Sequence, residues 1–149
     1  MNAQKTDSLS TAIYHPEADA SLQIREAMTR AKKENKHVFL QIGGNWCTWC
    51  RRFNNLVTTN DTLETLLTNQ YVVAHINYSP ENKNLPVLAT LGYPQRFGFP
   101  VFVILDANGQ RLHTQNSGYL EEGKGHSVKK IADFLKDWSP SALDAHKYE

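Results

Sequence analysis

Cys47 and Cys50 are the two cysteines of the chain, separated by Thr48 and Trp49. A bridge between them closes a ring so short that it removes little entropy from the unfolded chain, so a purely structural staple is a poor use of the pair. Reversible thiol-disulfide exchange is the sharper reading. The rival chemistry is metal binding, which for a structural zinc needs four protein ligands. The six histidines, His15, His37, His75, His113, His126 and His146, are scattered without a second ligand cluster. No metal site is therefore expected within one chain, although pairs from two chains could hold an interchain metal or iron-sulfur centre.

The elements around the pair sharpen this reading. Residues 19–35 read as a helix that Asp19 or Ser21 can cap, with Ile24, Ala27, Met28 and Ala31 on one face. Met28 is then a core residue before it is a ligand. Val38, Phe39, Leu40, Gln41 and Ile42 form a nearly continuous apolar run, the pattern of a strand covered on both sides. Gly43 and Gly44 end it, Asn45 and Trp46 lead into Cys47, and Cys50 to Leu56 can begin a helix. A thiol at the first turn of a helix faces unpaired N-H groups and the positive end of the dipole, both of which favour thiolate. Cys47 is thus the expected attacking sulfur. Cys50, one turn deeper, is placed to resolve the mixed disulfide. Arg51 and Arg52 could tune the thiolate or simply form the solvated face of the helix.

Downstream, Leu63, Leu66 and Leu67 mark a second helix, with Asp61 and Glu64 at capping-box spacing. Tyr71 to Asn77 reads as a strand. A polar connection follows, and Pro86, Gly92, Pro94 and Gly98 make the segment to residue 98 irregular or briefly helical, a candidate surface loop near the site. Val101 to Leu105 is a strand with Pro100 at its mouth, where a missing N-H is tolerated. Asp106 to Gly109 turn the chain into a strand over Gln110 to Thr114. Val128, Ile131, Ala132, Leu135 and Trp138 line one face of a helix over Ser127 to Trp138, which Pro140 terminates.

Composition narrows the class of function. A chain of 149 residues, 40% apolar and 21% charged, suits one domain. Its formal charge of +1, without a long basic run, disfavours nucleic acid and anionic membrane surfaces as partners. No stretch approaches the length of a membrane-spanning apolar segment, and residues 1–12 are too polar for a signal-peptide core. The glycines make neither a dinucleotide fingerprint nor a phosphate loop, and no hydrolase nucleophile turn is present.

Over residues 20–138 the chain resembles the thioredoxin-fold family. Trp46-Cys47-Thr48-Trp49-Cys50 matches the active-site segment of that family, and Phe99-Pro100 matches the position of its cis-proline. Among its members the chain looks closest to small bacterial thioredoxin-like domains with a WCxWC motif, many of them exported. The resemblance implies an α/β thioredoxin fold, with a central mixed β-sheet flanked by helices and an N-terminal helical extension. The expected boundaries are a polar extension over 1–18, the domain over 19–138 and a tail over 139–149.

It also implies that Pro100 is cis and faces the sulfurs, and that the backbone beside it pairs with an extended client segment. Phe99 would shape the client groove, Trp46 would shield the thiols, and Trp49 would be exposed at the active surface; packing inside the core is the alternative for Trp46 and Phe99. Two departures stand out. Thr48-Trp49 replaces the usual Gly-Pro, and Gln41 stands where the family has a buried aspartate that serves the resolving cysteine. Glu34 or Asp106 could supply a carboxylate instead, or water could carry the proton. The implied activity is reduction of disulfides in client proteins by a Cys47-Cys50 dithiol, with oxidation or isomerisation as alternatives. It needs no organic cofactor but requires a separate redox partner to reset the pair, and the expected setting is a monomer in the bacterial periplasm or otherwise exported, with the cytoplasm as the alternative. The competing class is a protein-interaction module using Trp49, Phe99 and the 91–98 loop with Tyr93, Pro94 and Phe97.

Overall fold

The computed structural model describes residues 13–149, so most of the expected 1–18 extension lies outside the described residues. Every residue of β1, His37–Gly43, is buried. It lies at the centre of a four-stranded sheet, parallel to β2, Tyr71–Asn77, and antiparallel to β3, Val101–Leu105. The outer strand β4, Arg111–Asn116, pairs antiparallel with β3. This is the mixed sheet expected from the sequence, in the order β2-β1-β3-β4.

Successive side chains of a strand point to opposite faces, and β1 uses both. Val38, Leu40 and Ile42 join one apolar cluster with Ala27 and Ala31 of α1, Ala20–Glu34, and with Leu88 of the short helix α4, Leu85–Thr90. Phe39 joins a second cluster with Phe53 and Val57 of α2, Thr48–Thr59, Leu63 and Leu67 of α3, Asp61–Gln70, and Ile131, Phe134 and Leu135 of α5, Val128–Asp137. Gln41 shares that second face and reaches Asn54 on α2. Because α2 crosses this face, Gly43 at the end of β1 lies against Cys50.

Local chemistry fixes the ends of these elements. Asp19 caps α1 by accepting from the Leu22 N-H at 3.1 Å, and Asn35 ends it in the left-handed region at φ 56°. The start of α3 corrects the sequence reading: Asn60 is its cap, accepting from the Leu63 N-H, and Asp61 is the first helical residue. Asn60 is extended, which frees its side chain to fold back on the helix, while Asp61 still meets the positive end of the dipole. The turn before β4 also runs one residue longer than expected. Asp106 accepts from the N-H groups of Asn108 and Gln110, and its own N-H bonds to the Gln110 carbonyl, so Gln110 belongs to the turn. A small hairpin, β5 Glu121–Glu122 and β6 Gly125–His126, is absent from the sequence reading and carries His126 to the side of α2.

Candidate active site

The path from β1 to α2 is set by two glycines and an asparagine. A Cβ on Gly44 would collide with the Trp46 indole and approach the Tyr78 carbonyl, so the close fold of this turn needs glycine there. Asn45 then holds the chain that precedes α1. Its Oδ1 accepts from the N-H groups of Ile13 and Tyr14 at 3.1 and 2.8 Å, and its Nδ2 donates to the Tyr14 carbonyl at 2.8 Å.

Cys47 is the N-cap of α2, extended at φ −93° and ψ 111°, and its Sγ accepts from the Cys50 N-H at 3.1 Å. The sulfur therefore sits among the free N-H groups at the positive end of the helix, where negative charge is favoured. Cys47 and Cys50 form a disulfide with Cα atoms 5.2 Å apart. Cys47 keeps a thin edge to solvent, whereas Cys50 has none. The Phe99-Pro100 peptide is cis, and Phe99 packs against the cluster that contains both cysteines.

The two tryptophans exchange the environments expected of them. Trp46 is 53% exposed and donates its indole N-H to the Tyr78 carbonyl at 2.7 Å, lying edge-on to Phe99, which in turn stacks on Tyr78. With Phe99 and Tyr78 it forms an open aromatic surface beside Cys47. Trp49 is half-buried, edge-on to His126 with the Arg52 guanidinium over its ring at 5.2 Å. The β5-β6 hairpin covers it, a contact that no local pattern around Trp49 announces. Tyr93 and Phe97 are exposed, and Pro94 is buried.

The arginines are occupied with backbone carbonyls. Arg51 donates to the Asn45 carbonyl at 2.6 Å and Arg52 to the Lys124 carbonyl at 3.0 Å. Each guanidinium thus ties down a segment bordering the pair. Neither carboxylate considered as a proton acceptor is brought to Cys50. Glu34 is exposed and paired with Lys36 and Arg30, and Asp106 holds its own turn.

Beside Cys50 stands Tyr14, and Tyr14 leads on to a set of neutral polar groups that the sequence did not single out, Gln41 excepted. Tyr14 packs against both cysteines, fully buried, and its ring lies edge-on to His75 at 5.5 Å. Gln41 is aligned across the strands with His75, and both donate toward or contact Asn54 Oδ1, at 3.5 Å and 3.2 Å. Burial, with a smaller contribution from His15, pushes the His75 imidazole down to about 4, so it is neutral at ordinary pH. Burial raises the Tyr14 phenol well above the tyrosine range, with Gln41 drawing it slightly back. Burial followed by the Arg52 charge likewise lowers His126. A cleft of about 420 Å³ reaches this group from the surface, lined by Gln41, Asn54 and His75 together with Glu64 and Tyr71.

A mixed four-stranded sheet that delivers a cysteine pair to the first turn of a helix, with a cis-proline at the mouth of β3, defines the thioredoxin fold. The chain belongs to the thioredoxin-like family, whose profile matches residues 19–107. Among solved structures it is similar to a disulphide isomerase from Xylella fastidiosa Temecula1, with 28% identity and a TM-score of 0.73 over 83% of this chain and 94% of that one. The fold is also shared with the C-terminal domain of DsbD from Neisseria meningitidis, in its oxidised form, at 17% identity and a TM-score of 0.59 over 81% and 97% of the two chains. A thioredoxin from Thermus thermophilus matches at 18% identity and a TM-score of 0.51 over 81% and 90%. A comparison with curated protein sequences finds no significant match. The buried pair beside Trp46 equips this fold for thiol-disulfide exchange in general. Among the described residues no helix is long and apolar enough to cross a membrane.

Proposed function

We propose that the protein is a thiol-disulfide oxidoreductase that reduces disulfides in client proteins. The observation that carries this reading is the asymmetry of the pair: Cys47 caps α2 at the solvent edge, and Cys50 is sealed one turn below. In the reduced protein the Cys47 thiolate attacks a client disulfide, one client sulfur leaves as a thiolate, and a mixed disulfide forms. Cys50 then attacks Cys47 Sγ, the second client sulfur departs, and the pair is left oxidised. Two electrons have passed to the client, and a separate dithiol donor restores the pair. Trp46, Phe99 and the backbone at Pro100 form the surface that receives the client chain, with Trp49 packed against the cysteine cluster beside it. The protein acts as a monomer in the bacterial periplasm, a compartment where protein disulfides persist.

Isomerisation is the second reading, favoured by the activity named for the 28%-identical Xylella protein. Equilibration with glutathione mixtures discriminates among the directions. A reduction potential near about −270 mV supports a reductase, one near about −180 mV an isomerase, and one near about −120 mV overturns both in favour of an oxidant. Cys47→Ser is expected to abolish turnover in an insulin disulfide-reduction assay. Retained biological activity in that variant would instead identify an interaction module.

A further inference from the structure

The family places a carboxylate beneath the resolving cysteine, and in this chain the strand position holds Gln41. Outside the strand, Tyr14 packs against the same sulfur. Its hydroxyl is buried beside the Gln41 amide, which draws the phenol's pKa down, yet neither the hydroxyl nor Gln41 Oε1 has a partner at hydrogen-bond geometry among the described residues. Gly43 reveals where the hydroxyl lies. A Cβ built there would run into Cys50 Sγ and stand 3.0 Å from the Tyr14 hydroxyl oxygen, so the sulfur and the phenol border the same small space. Asn45, two residues before the attacking cysteine, fixes the Ile13-Tyr14 backbone in this position by accepting from both N-H groups and donating to the Tyr14 carbonyl.

A buried donor without an acceptor is unfavourable, and native proteins rarely keep one without a use. In the oxidised pair, Cys50 Sγ is a weak acceptor already committed to the disulfide. Once the disulfide opens, the same atom becomes a thiol or thiolate, and a thiolate buried among neutral groups needs a donor. We propose that the Tyr14 hydroxyl donates a hydrogen bond to the Cys50 sulfur of the opened pair and so supports the thiolate that resolves the mixed disulfide. The role rests on the redox cycle proposed above. During the step Cys50 loses its proton to water, its sulfur bonds to Cys47 Sγ, and the client sulfur leaves with the electron pair of the broken bond and is protonated from water. Tyr14 keeps its own proton throughout. Its phenol is held neutral by burial, which makes it a donor and not a base.

The titratable and charged side chains around the pair are compatible with this assignment. His75 on β2 faces the Tyr14 ring and is neutral at ordinary pH. His126 on β6 lies behind Trp49, and Arg51 on α2 is hydrogen-bonded to the Asn45 carbonyl. The hydroxyl thus keeps its proton and borders the space beside the buried sulfur.

The test removes only that hydroxyl. In a Cys47→Ser background, thiolate absorbance near 240 nm titrates Cys50 alone, with and without Tyr14→Phe. The expected result is an upward move of the Cys50 midpoint by about one pH unit, a tenfold loss of thiolate below the midpoint. With both cysteines present, and at pH well above the midpoints of both proteins, Tyr14→Phe should shift the glutathione equilibrium about tenfold toward the disulfide, about 30 mV. It should also lower the melting temperature of the reduced protein more than that of the oxidised protein. An unchanged Cys50 midpoint, with equal stability effects in both redox states, overturns the assignment and leaves Tyr14 as packing. If Tyr14→Phe does not fold, Asn45→Ser, which releases the Ile13-Tyr14 segment, is expected to raise the same midpoint, and no change there is equally decisive. A wild-type pair that does not equilibrate with glutathione at all would refute the proposed function and this role together. A pair that equilibrates normally while Tyr14→Phe leaves it unmoved would refute this role alone.

Discussion

Acidification should find His75 before it finds the carboxylates. The imidazole has an ordinary pKa of 6.5, and in the folded protein it is held down to about 4, first by burial and then by His15. The unfolded chain therefore takes up a proton that the folded chain refuses over this interval. The stability contributed by neutral His75 is complete above about pH 6.5 and is lost as the pH falls toward 4. Two and a half pKa units correspond to about 3 kcal/mol when the whole interval is crossed, and about 2 kcal/mol is lost between pH 7 and pH 4.5. The ring is only partly buried, and solvent screening brings the expected loss to about 1–2 kcal/mol.

Urea unfolding of the oxidised protein at half-unit pH intervals, beside His75→Gln, isolates this amount. Glu34, Glu81 and Asp133 are all held below their usual ranges by hydrogen bonds and charges, and they lose stability in both proteins at lower pH. The wild-type midpoint should fall from pH 6.5 downward by about 0.5–1 M urea more than that of the variant. Parallel curves down to pH 4.5, or a gap that opens only above pH 6.5, would refute the reasoning.

Two further substitutions probe the packing that holds the pair. Gly43→Ala adds a Cβ where Cys50 Sγ and the Tyr14 hydroxyl already stand, and overpacking of this kind should lower the unfolding free energy of the oxidised protein by about 1–3 kcal/mol in a urea titration. Phe53→Ala removes a ring that packs on Phe102 at 4.3 Å, Phe39 at 6.4 Å and His126 at 5.4 Å, and should reduce the unfolding free energy by about 3–5 kcal/mol. Loss of the ring beneath His126 should also change the Trp49 fluorescence of the folded protein. An unchanged emission would show that the β5-β6 hairpin does not depend on Phe53.

The strands and helices around the cysteines were legible because their signals are local. A continuous apolar run gave β1, the glycines ended it, and the segment from Cys50 to Leu56 marked the helix that follows the turn. The cap expected at Asp61 slipped by one residue, because the extended Asn60 before it folds its side chain back onto the helix. The environments of Trp46 and Trp49 were not legible, since they depend on Tyr78, 32 residues from Trp46, and on His126, brought in by a hairpin of two-residue strands. Tyr14 escaped notice for the same reason. It lies before α1 with no periodic pattern around it, and only the Asn45 side chain, 31 residues away, reveals where it belongs.

That contact bears on how the domain can be handled. The region shared with the family begins at residue 19, beyond both Ile13 and Tyr14, and ends at 107, before β4 and α5. A graft, fusion or domain exchange cut at those limits would carry the cysteines and their helix but leave behind a wall of the chamber in which Cys50 sits. Asn45 would retain its hydrogen-bonding groups with nothing to hold. The transferable unit is set by what encloses the sulfur, and it starts no later than Ile13.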